Sequence, residues 1–144
     1  MKLRTIKPES YARISANRPQ VLTKDRGYGV IYFTHEALIF ALPLRSNLNH
    51  PNGFKTLLDK RSKTWNGIDY TKVLIVSEDD LMKEAFKPRD TAEYDKIQNN
   101  SEKIKTQFIL YLTEYVKAVK SGEPLDRKFT FTTLQYFHAE LGLN

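Results

Sequence analysis

One short polar stretch carries most of the side chains in this sequence that could do chemistry. Metal-free cleavage of RNA needs a base for the ribose 2′-OH, donors for the phosphate oxygens and an acid for the leaving 5′-oxygen. Imidazole exchanges protons near neutral pH, guanidinium grips phosphate with a planar fork, and hydroxyl or amide groups donate to the same oxygens. The stretch that follows Leu44 offers all of these groups, on Arg45, Ser46, Asn47, Asn49 and His50. Lys55 is a further cation within reach of this stretch.

A purely structural interpretation of the same stretch is also open. Ser46 and Asn47 could only shape a turn, and Arg45 could pair with a carboxylate. His50 could be a polar loop residue before Pro51. No spacing rule as specific as a pair of cysteines links these residues, so composition leaves both interpretations standing.

Length and charge narrow the class of protein. A chain of 144 residues fits a single domain, residues 1–144, with a sizeable core. The formal net charge of +6 and the pI near 9.4 favour a polyanionic partner, nucleic acid above all. No apolar run approaches the roughly 18 residues of a membrane-spanning helix, and the opening residues lack the apolar region of a signal peptide. We therefore expect a cytoplasmic protein that enters no membrane.

Metal ligands are scarce in this sequence. The chain has no cysteine, which removes disulfides, thiolate metal sites and thiol nucleophiles together. Its three histidines, His35, His50 and His138, are far apart and follow no metal-binding spacing. We predict chemistry without a metal or any other cofactor.

Two apolar runs predict the strands that position the polar stretch. Residues 29–33 and 38–42 are rich in β-branched and aromatic side chains, with four turn residues between them, so we expect a β-hairpin. Pro43 has no backbone donor and should end the pairing of the second strand. Residues 45–53 are therefore predicted to form an exposed loop. A strand over residues 2–6 and a helical turn opened by Pro8 should precede the hairpin.

Helices are predicted mainly in the second half of the chain. A strand over residues 70–76 should lead into a helix over residues 77–86. The longest helix should run from Ser101 to a stop at Gly122, with apolar residues at three- and four-residue intervals. We favour a solvated face for its lysines, although an RNA-binding stripe remains open. An edge strand over residues 129–132 and a last helix capped by Thr132 follow, and His138 should be hydrogen-bonded at the edge of the core.

Three motifs carry a resemblance to a known family. They are residues 26–30 (RGYGV), residues 40–46 (FALPLRS) together with His50, and residues 67–72 (GIDYTK). In these motifs the sequence resembles the toxins of type III toxin–antitoxin systems, most closely the TenpN branch of the ToxN and AbiQ group. The similarity covers about the first half of the chain, and the helical second half fits only in kind.

The resemblance implies an α+β fold, with a twisted antiparallel sheet of the SH3-like-barrel kind found in Kid and MazF toxins and helices packed around it. It also implies a metal-independent endoribonuclease that leaves 2′,3′-cyclic phosphate and 5′-hydroxyl ends. The partners would be cellular or phage RNA substrates and a repeated, pseudoknotted antitoxin RNA. Such a toxin processes that RNA, is neutralised by it in a toxin–RNA hetero-oligomer, and acts in defence against phage.

Residue by residue, the resemblance transfers only in part. Pro43, Leu44 and Ser46 match the stretch that ends the strand in ToxN-like toxins, but Arg45 replaces a threonine and Leu48 stands where a lysine is expected. The function of that lysine must then come from Arg45, Lys55 or His50. The predicted catalytic residues are His50, Ser46, Arg45 and Lys55, and the predicted RNA contacts are Asn47, Asn49, Tyr28 and Arg26.

Two other classes of function remain open. A non-catalytic RNA-binding module would use the same cations and exposed tyrosines to hold phosphates and stack bases. A protein-interaction or inhibitor protein would present its basic surface to an acidic partner. The charge of the chain suits both.

Overall fold

A computed structural model describes residues 2–22 and 29–144 as an α+β fold. Within these residues seven antiparallel strands form one open sheet, in the order β4-β5-β3-β2-β1-β7, with β6 paired to β3. The strands are β1 Lys2–Ile6, β2 Gly29–His35, β3 Leu38–Arg45, β4 Gly53–Asp59, β5 Thr64–Asp69, β6 Leu74–Val76 and β7 Leu81–Ala85. The helices are α1 Pro8–Ser15, α2 Thr91–Asn99 and α3 Ser101–Ser121.

The predicted β2–β3 hairpin is confirmed, but the prediction that Pro43 ends its second strand is wrong. Strand β3 continues to Arg45, and Pro43 stays in register with Val30 of β2. On the other side of β3, β6 pairs with residues 39–41 and β5 begins pairing only at Leu44. Pro43 lies in the gap between these two partners, where a missing donor interrupts no ladder on that side.

The larger cluster of core residues lies between the sheet and α3, and a second cluster packs Ile14 of α1 with other buried residues. Phe108 of α3 contacts Phe33 and Phe40 of the hairpin, with ring centroids 5.8 and 5.4 Å apart. The predicted long helix is confirmed, and it ends at Gly122, which has the left-handed φ of 73° that favours glycine. His138 is hydrogen-bonded as predicted, since its Nε2 lies 2.6 Å from the hydroxyl of Tyr115.

The helix predicted over residues 77–86 is wrong. A single 3-10 turn, Glu78–Asp80, is followed by strand β7, which pairs with β1. The Asp80 carboxylate accepts hydrogen bonds from the backbone and hydroxyl of Ser77 and from Arg13. These contacts close one turn, and residues 81–85 then pair with the free edge of β1.

Other predicted elements need correction as well. The strand predicted over residues 70–76 is a 3-10 turn, Tyr70–Lys72, followed by β6. Residues 129–132 form no strand, and a 3-10 turn, Thr133–Tyr136, replaces the last helix. The hydroxyls of Thr132 and Thr133 donate to carbonyl oxygens of Thr71 and Val73, which fixes this segment beside the sheet in place of a regular helix.

The hairpin of β4 and β5 and helix α2 were not predicted. The turn between β4 and β5 and most of α2 carry charged or polar residues, so neither element has a clear apolar period. Within the described residues no helix has the length and apolar character needed to cross a membrane.

Candidate active site

A buried carboxylate organises the end of the sheet where β3 and β5 pair. Asp69, the last residue of β5, has no exposed surface. Its Oδ2 accepts a hydrogen bond from Nη1 of Arg45 at 2.7 Å. Its Oδ1 accepts from the backbone N–H of Thr71 at 3.0 Å and from the Thr71 hydroxyl at 2.6 Å. A buried carboxylate is tolerated when its oxygens are satisfied in this way.

His50 lies against the same carboxylate. Its Nε2 is 3.2 Å from Oδ1 of Asp69 and is sealed from solvent, but the orientation of the ring does not give a hydrogen bond. Its Nδ1 accepts a hydrogen bond from the backbone N–H of Asn52 at 3.1 Å. Since an accepting nitrogen carries no proton, the neutral ring has its proton on Nε2, facing the carboxylate.

The contacts around Asp69 decide its protonation. Burial alone would raise the pKa of Asp69, but the groups contributed by His50, Thr71 and Arg45 outweigh it and lower the pKa below the ordinary value. Asp69 is therefore an anion at neutral pH, fixed between a guanidinium and an imidazole.

Leu48 fixes the loop that carries these groups. Its side chain is 2% exposed, and its backbone N–H donates to the carbonyl of Trp65 at 2.7 Å. The side chain packs on Gly53 and Gly67, where an added Cβ would come within 2.9 and 2.6 Å of a Leu48 methyl group. Leu48, where the resemblance predicts a lysine, is thus a packing residue in this chain.

Beside Asp69 the surface opens into a cleft of about 340 Å³. Arg45, Asn49 and His50, all predicted site residues, contribute to its lining. The remaining wall comes from residues that sequence reasoning missed: Gln20, Asn52, Thr71, Lys72, Arg127, Lys128 and Phe131.

Three of the missed residues are cations. Lys72 donates to the side-chain oxygen of Gln20 at 3.1 Å and to the carbonyl of Phe131 at 2.8 Å. Burial and the nearby Arg45 lower the pKa of Lys72, and Asp69 only partly opposes them. Lys128 pairs with Glu114, while Arg127 makes no ion pair within residues 2–22 and 29–144.

The other predicted residues are placed differently. Ser46 begins the loop, is half-buried and makes an interaction within the fold, but it does not line the cleft. Asn47 is exposed and has the left-handed φ of 52° that is common for asparagine in turns. Lys55, on β4, lies outside the cleft, with its ammonium 5.8 Å from the centre of the Trp65 ring. Arg26 and Tyr28 fall outside the described residues.

Two features of the purely structural interpretation are therefore found in the structure. Arg45 pairs with a carboxylate, and Asn47 shapes a turn. Sequence could have found Asp69, Thr71 and Lys72, since all three lie in the motif over residues 67–72. Arg127 and Phe131 had no such signal, because only the tertiary fold brings them to the loop.

No group of three or more potential metal-ligating His, Cys, Asp or Glu side chains occurs in the part of the chain that the structure describes. A scan against protein-family models gave no match, and a search of curated proteins found no significant relative. The resemblance to type III toxins therefore stays a prediction that rests on the three motifs.

Proposed function

We propose that this chain is a metal-independent endoribonuclease whose active site is the cleft beside Asp69. One observation carries the proposal. A buried carboxylate holds a guanidinium and an imidazole at the wall of a cleft that three further cations line. This combination supplies both phosphate binding and proton transfer, which are the requirements of RNA cleavage by its own 2′-OH.

In the proposed reaction, His50 is the base. Asp69 orients the ring through Nε2, which leaves Nδ1 as the nitrogen that takes a proton, once a ribose 2′-OH replaces the Asn52 amide there. The bond from O2′ to phosphorus forms as the bond to O5′ breaks. Arg45 and Arg127 hold the non-bridging oxygens, and Lys72 gives the leaving oxygen its proton. The products are a 2′,3′-cyclic phosphate and a 5′-hydroxyl.

Lys72 is the proposed replacement for the lysine of ToxN-like toxins. Leu48, at the expected position, is buried on two glycines and carries no proton to give. The ammonium of Lys72 lies in the cleft, and its lowered pKa makes it a better proton donor than an ordinary lysine. Sequence alone offers Arg45, Lys55 or His50 for this role.

The biological role in the proposal is that of a type III toxin of the TenpN branch, in the cytoplasm. The three motifs and the net charge of +6 support it. The finer fold assignment, an SH3-like barrel of the Kid and MazF kind, belongs to the same proposal, and the twisting expected of any antiparallel sheet is compatible with it. The proposed partner is a repeated, pseudoknotted antitoxin RNA that the toxin processes and that neutralises it in a hetero-oligomer.

Cleavage of a mixed cellular RNA by the purified protein in EDTA tests the enzyme assignment. We expect cleavage with chelator present, cyclic-phosphate ends and 5′-hydroxyl ends, and cleavage slower by about 10² or more in a His50→Ala control prepared in parallel. Activity that needs added magnesium would contradict the metal-free mechanism. A 5′-phosphate on the products would indicate attack by water and thus a different reaction.

A second candidate function, a non-catalytic RNA-binding module, is favoured by one observation. Nδ1 of His50 already accepts from the Asn52 amide, and Nε2 is sealed from solvent against Asp69. The same assay separates the two functions. Binding of RNA without cleavage at any pH would support the binding module, whereas cleavage that His50→Ala slows by about 10² would exclude it.

A further inference from the structure

Phe131 exposes 64% of its surface although it lines the cationic cleft. Single exposed hydrophobic residues are common and need no explanation by themselves. Leu110 on α3 is a comparable case, with 60% of its surface exposed and no position in the cleft. Phe131 differs because it lines the same cleft as Lys72, Arg127 and Lys128.

The backbone on both sides of Phe131 is fixed. Phe129 and Thr132 are buried, and the Thr132 hydroxyl donates to the carbonyl of Thr71 at 3.2 Å. The carbonyl of Phe131 itself accepts from the Lys72 ammonium at 2.8 Å. The exposed ring is therefore presented by an ordered segment, and a ligand would not have to order a loop to use it.

Gln20 restricts what can bind next to this ring. Its Oε1 accepts from Lys72, so its amide nitrogen is the group left for a ligand. The wall thus combines an aromatic face, an amide donor and cations. That set matches a nucleobase with its phosphate, since unpaired bases stack on aromatic side chains while cations hold the backbone.

We propose that Phe131 forms a nucleobase site, in which the base next to the scissile phosphate stacks on the ring. The proposal rests on the proposed function and deepens it, because it assigns single-stranded RNA as the substrate class. Bases in a duplex are already stacked on their neighbours and are not available to the ring. The Gln20 amide donates to an acceptor on the edge of the stacked base.

Binding of a short fluorescein-labelled 2′-O-methyl RNA of mixed sequence tests this site, because the methyl group blocks cleavage and anisotropy then reports affinity alone. We expect Phe131→Ala to weaken binding about tenfold, the scale of one lost base stack. Phe131→Trp should bind as tightly as the wild type, and Phe131→Leu as weakly as Phe131→Ala. Leu110→Ala is the matched control for an exposed apolar side chain and should change nothing. Thermal unfolding of each variant checks the fold.

A labelled RNA hairpin of the same length completes the test. We expect its weaker binding to be insensitive to Phe131→Ala. Equal binding of the single strand by the wild type and Phe131→Ala would overturn the stacking site while leaving the endoribonuclease proposal intact. Wild-type affinity of Phe131→Leu for the single strand would show an apolar contact in place of a stack and would overturn it too. Failure of the wild type to bind either RNA would remove the proposed function itself.

Discussion

Nη1 of Arg45 lies 2.7 Å from Oδ2 of Asp69, and the two side chains differ sharply in their exposure to solvent. The Asp69 side chain is fully covered, whereas the Arg45 side chain keeps 29% of its surface exposed. One edge of the Arg45 guanidinium therefore compensates the buried charge of Asp69, and its remaining N–H donors can face the cleft. Substitution of either residue changes the site in a different way.

His50→Ala should lower the cleavage rate by about 10² or more, because general acid–base catalysis contributes that factor. RNA affinity should hardly change, since the imidazole is assigned a proton and not a phosphate. Single-turnover rates across a pH series measure this. One limb of the wild-type profile should disappear in the variant, and a wild-type rate in His50→Ala would remove the histidine from the mechanism.

Asp69→Asn keeps the shape of the side chain and removes its charge. We expect a rate loss similar to that of His50→Ala, about 10², because the ring loses the group that orients it. The double variant should lose little more than either single one, since the two residues act as a unit. Asp79→Asn, at an exposed carboxylate, is the control. Additive losses would show that Asp69 acts independently of His50.

Lys72 and Lys55 should behave differently. Lys72→Ala should reduce the rate strongly, whereas Lys55→Ala should leave it unchanged, because Lys55 lies over Trp65 and outside the cleft. Lys72→Arg should recover RNA affinity but not the rate, since a guanidinium does not release its proton.

The pH dependence gives a second measure of Lys72. A proton donor works in its charged form, so activity should fall as the pH rises through its pKa. Because burial and Arg45 lower the pKa of Lys72, that fall should begin at lower pH than for an ordinary lysine. A profile without a high-pH limb would contradict the role of Lys72 as the acid.

RNA binding should depend steeply on salt, because cations that neutralise phosphates release counterions. For a single strand, Arg127→Gln should reduce the slope of log affinity against log salt by about 0.7, the share of one phosphate contact. Lys103→Gln, at an exposed position of α3, is the control and should leave the slope unchanged. A smaller slope in the control would instead place RNA along the lysines of α3.

Asp80 should make the fold sensitive to acid. Burial opposes ionisation, but hydrogen bonds from Ser77, Arg13 and Ser10 lower the pKa of Asp80 to about 2. A lowered pKa stabilises the fold above the unfolded value near 4, and that stabilisation, about 2 kcal/mol, is lost as the pH falls toward 2. Asp80→Asn should flatten this part of a plot of unfolding free energy against pH. An unchanged acid limb would contradict the assigned pKa.

The parts of the fold that sequence predicted are those whose signal is local. The β2–β3 hairpin and α3 have unbroken apolar periods, and both are confirmed. Sequence mispredicts the turn at Glu78–Asp80, because acidic residues after Ser77 also suit the first turn of a helix. Only the hydrogen bonds of Asp80 with Ser77 and Arg13 distinguish one turn from a longer helix, and Arg13 is remote in sequence.

The candidate site was predicted in part for the same reason. Arg45, Asn49 and His50 were found because they are close together in sequence, and they do meet in the cleft. Lys55 is almost as close in sequence but lies on β4 over the Trp65 ring and outside the cleft, because strand pairing and not sequence distance sets its position. Asp69 lies in the motif over residues 67–72, but only strand pairing brings it beside Arg45. Phe131 is brought to the cleft by the contact of Thr132 with Thr71, which no local pattern records.

Residues from widely separated parts of the chain line the cleft, from Gln20 through Arg45 to Phe131. A ribosome releases a growing chain from its N-terminal end and keeps the newest residues inside the exit tunnel. A nascent chain that has already paired all seven strands of the described sheet would still lack the wall that carries Arg127 and Phe131. Under the proposed function, such a chain has no complete RNA site until Arg127 and Phe131 have left the exit tunnel.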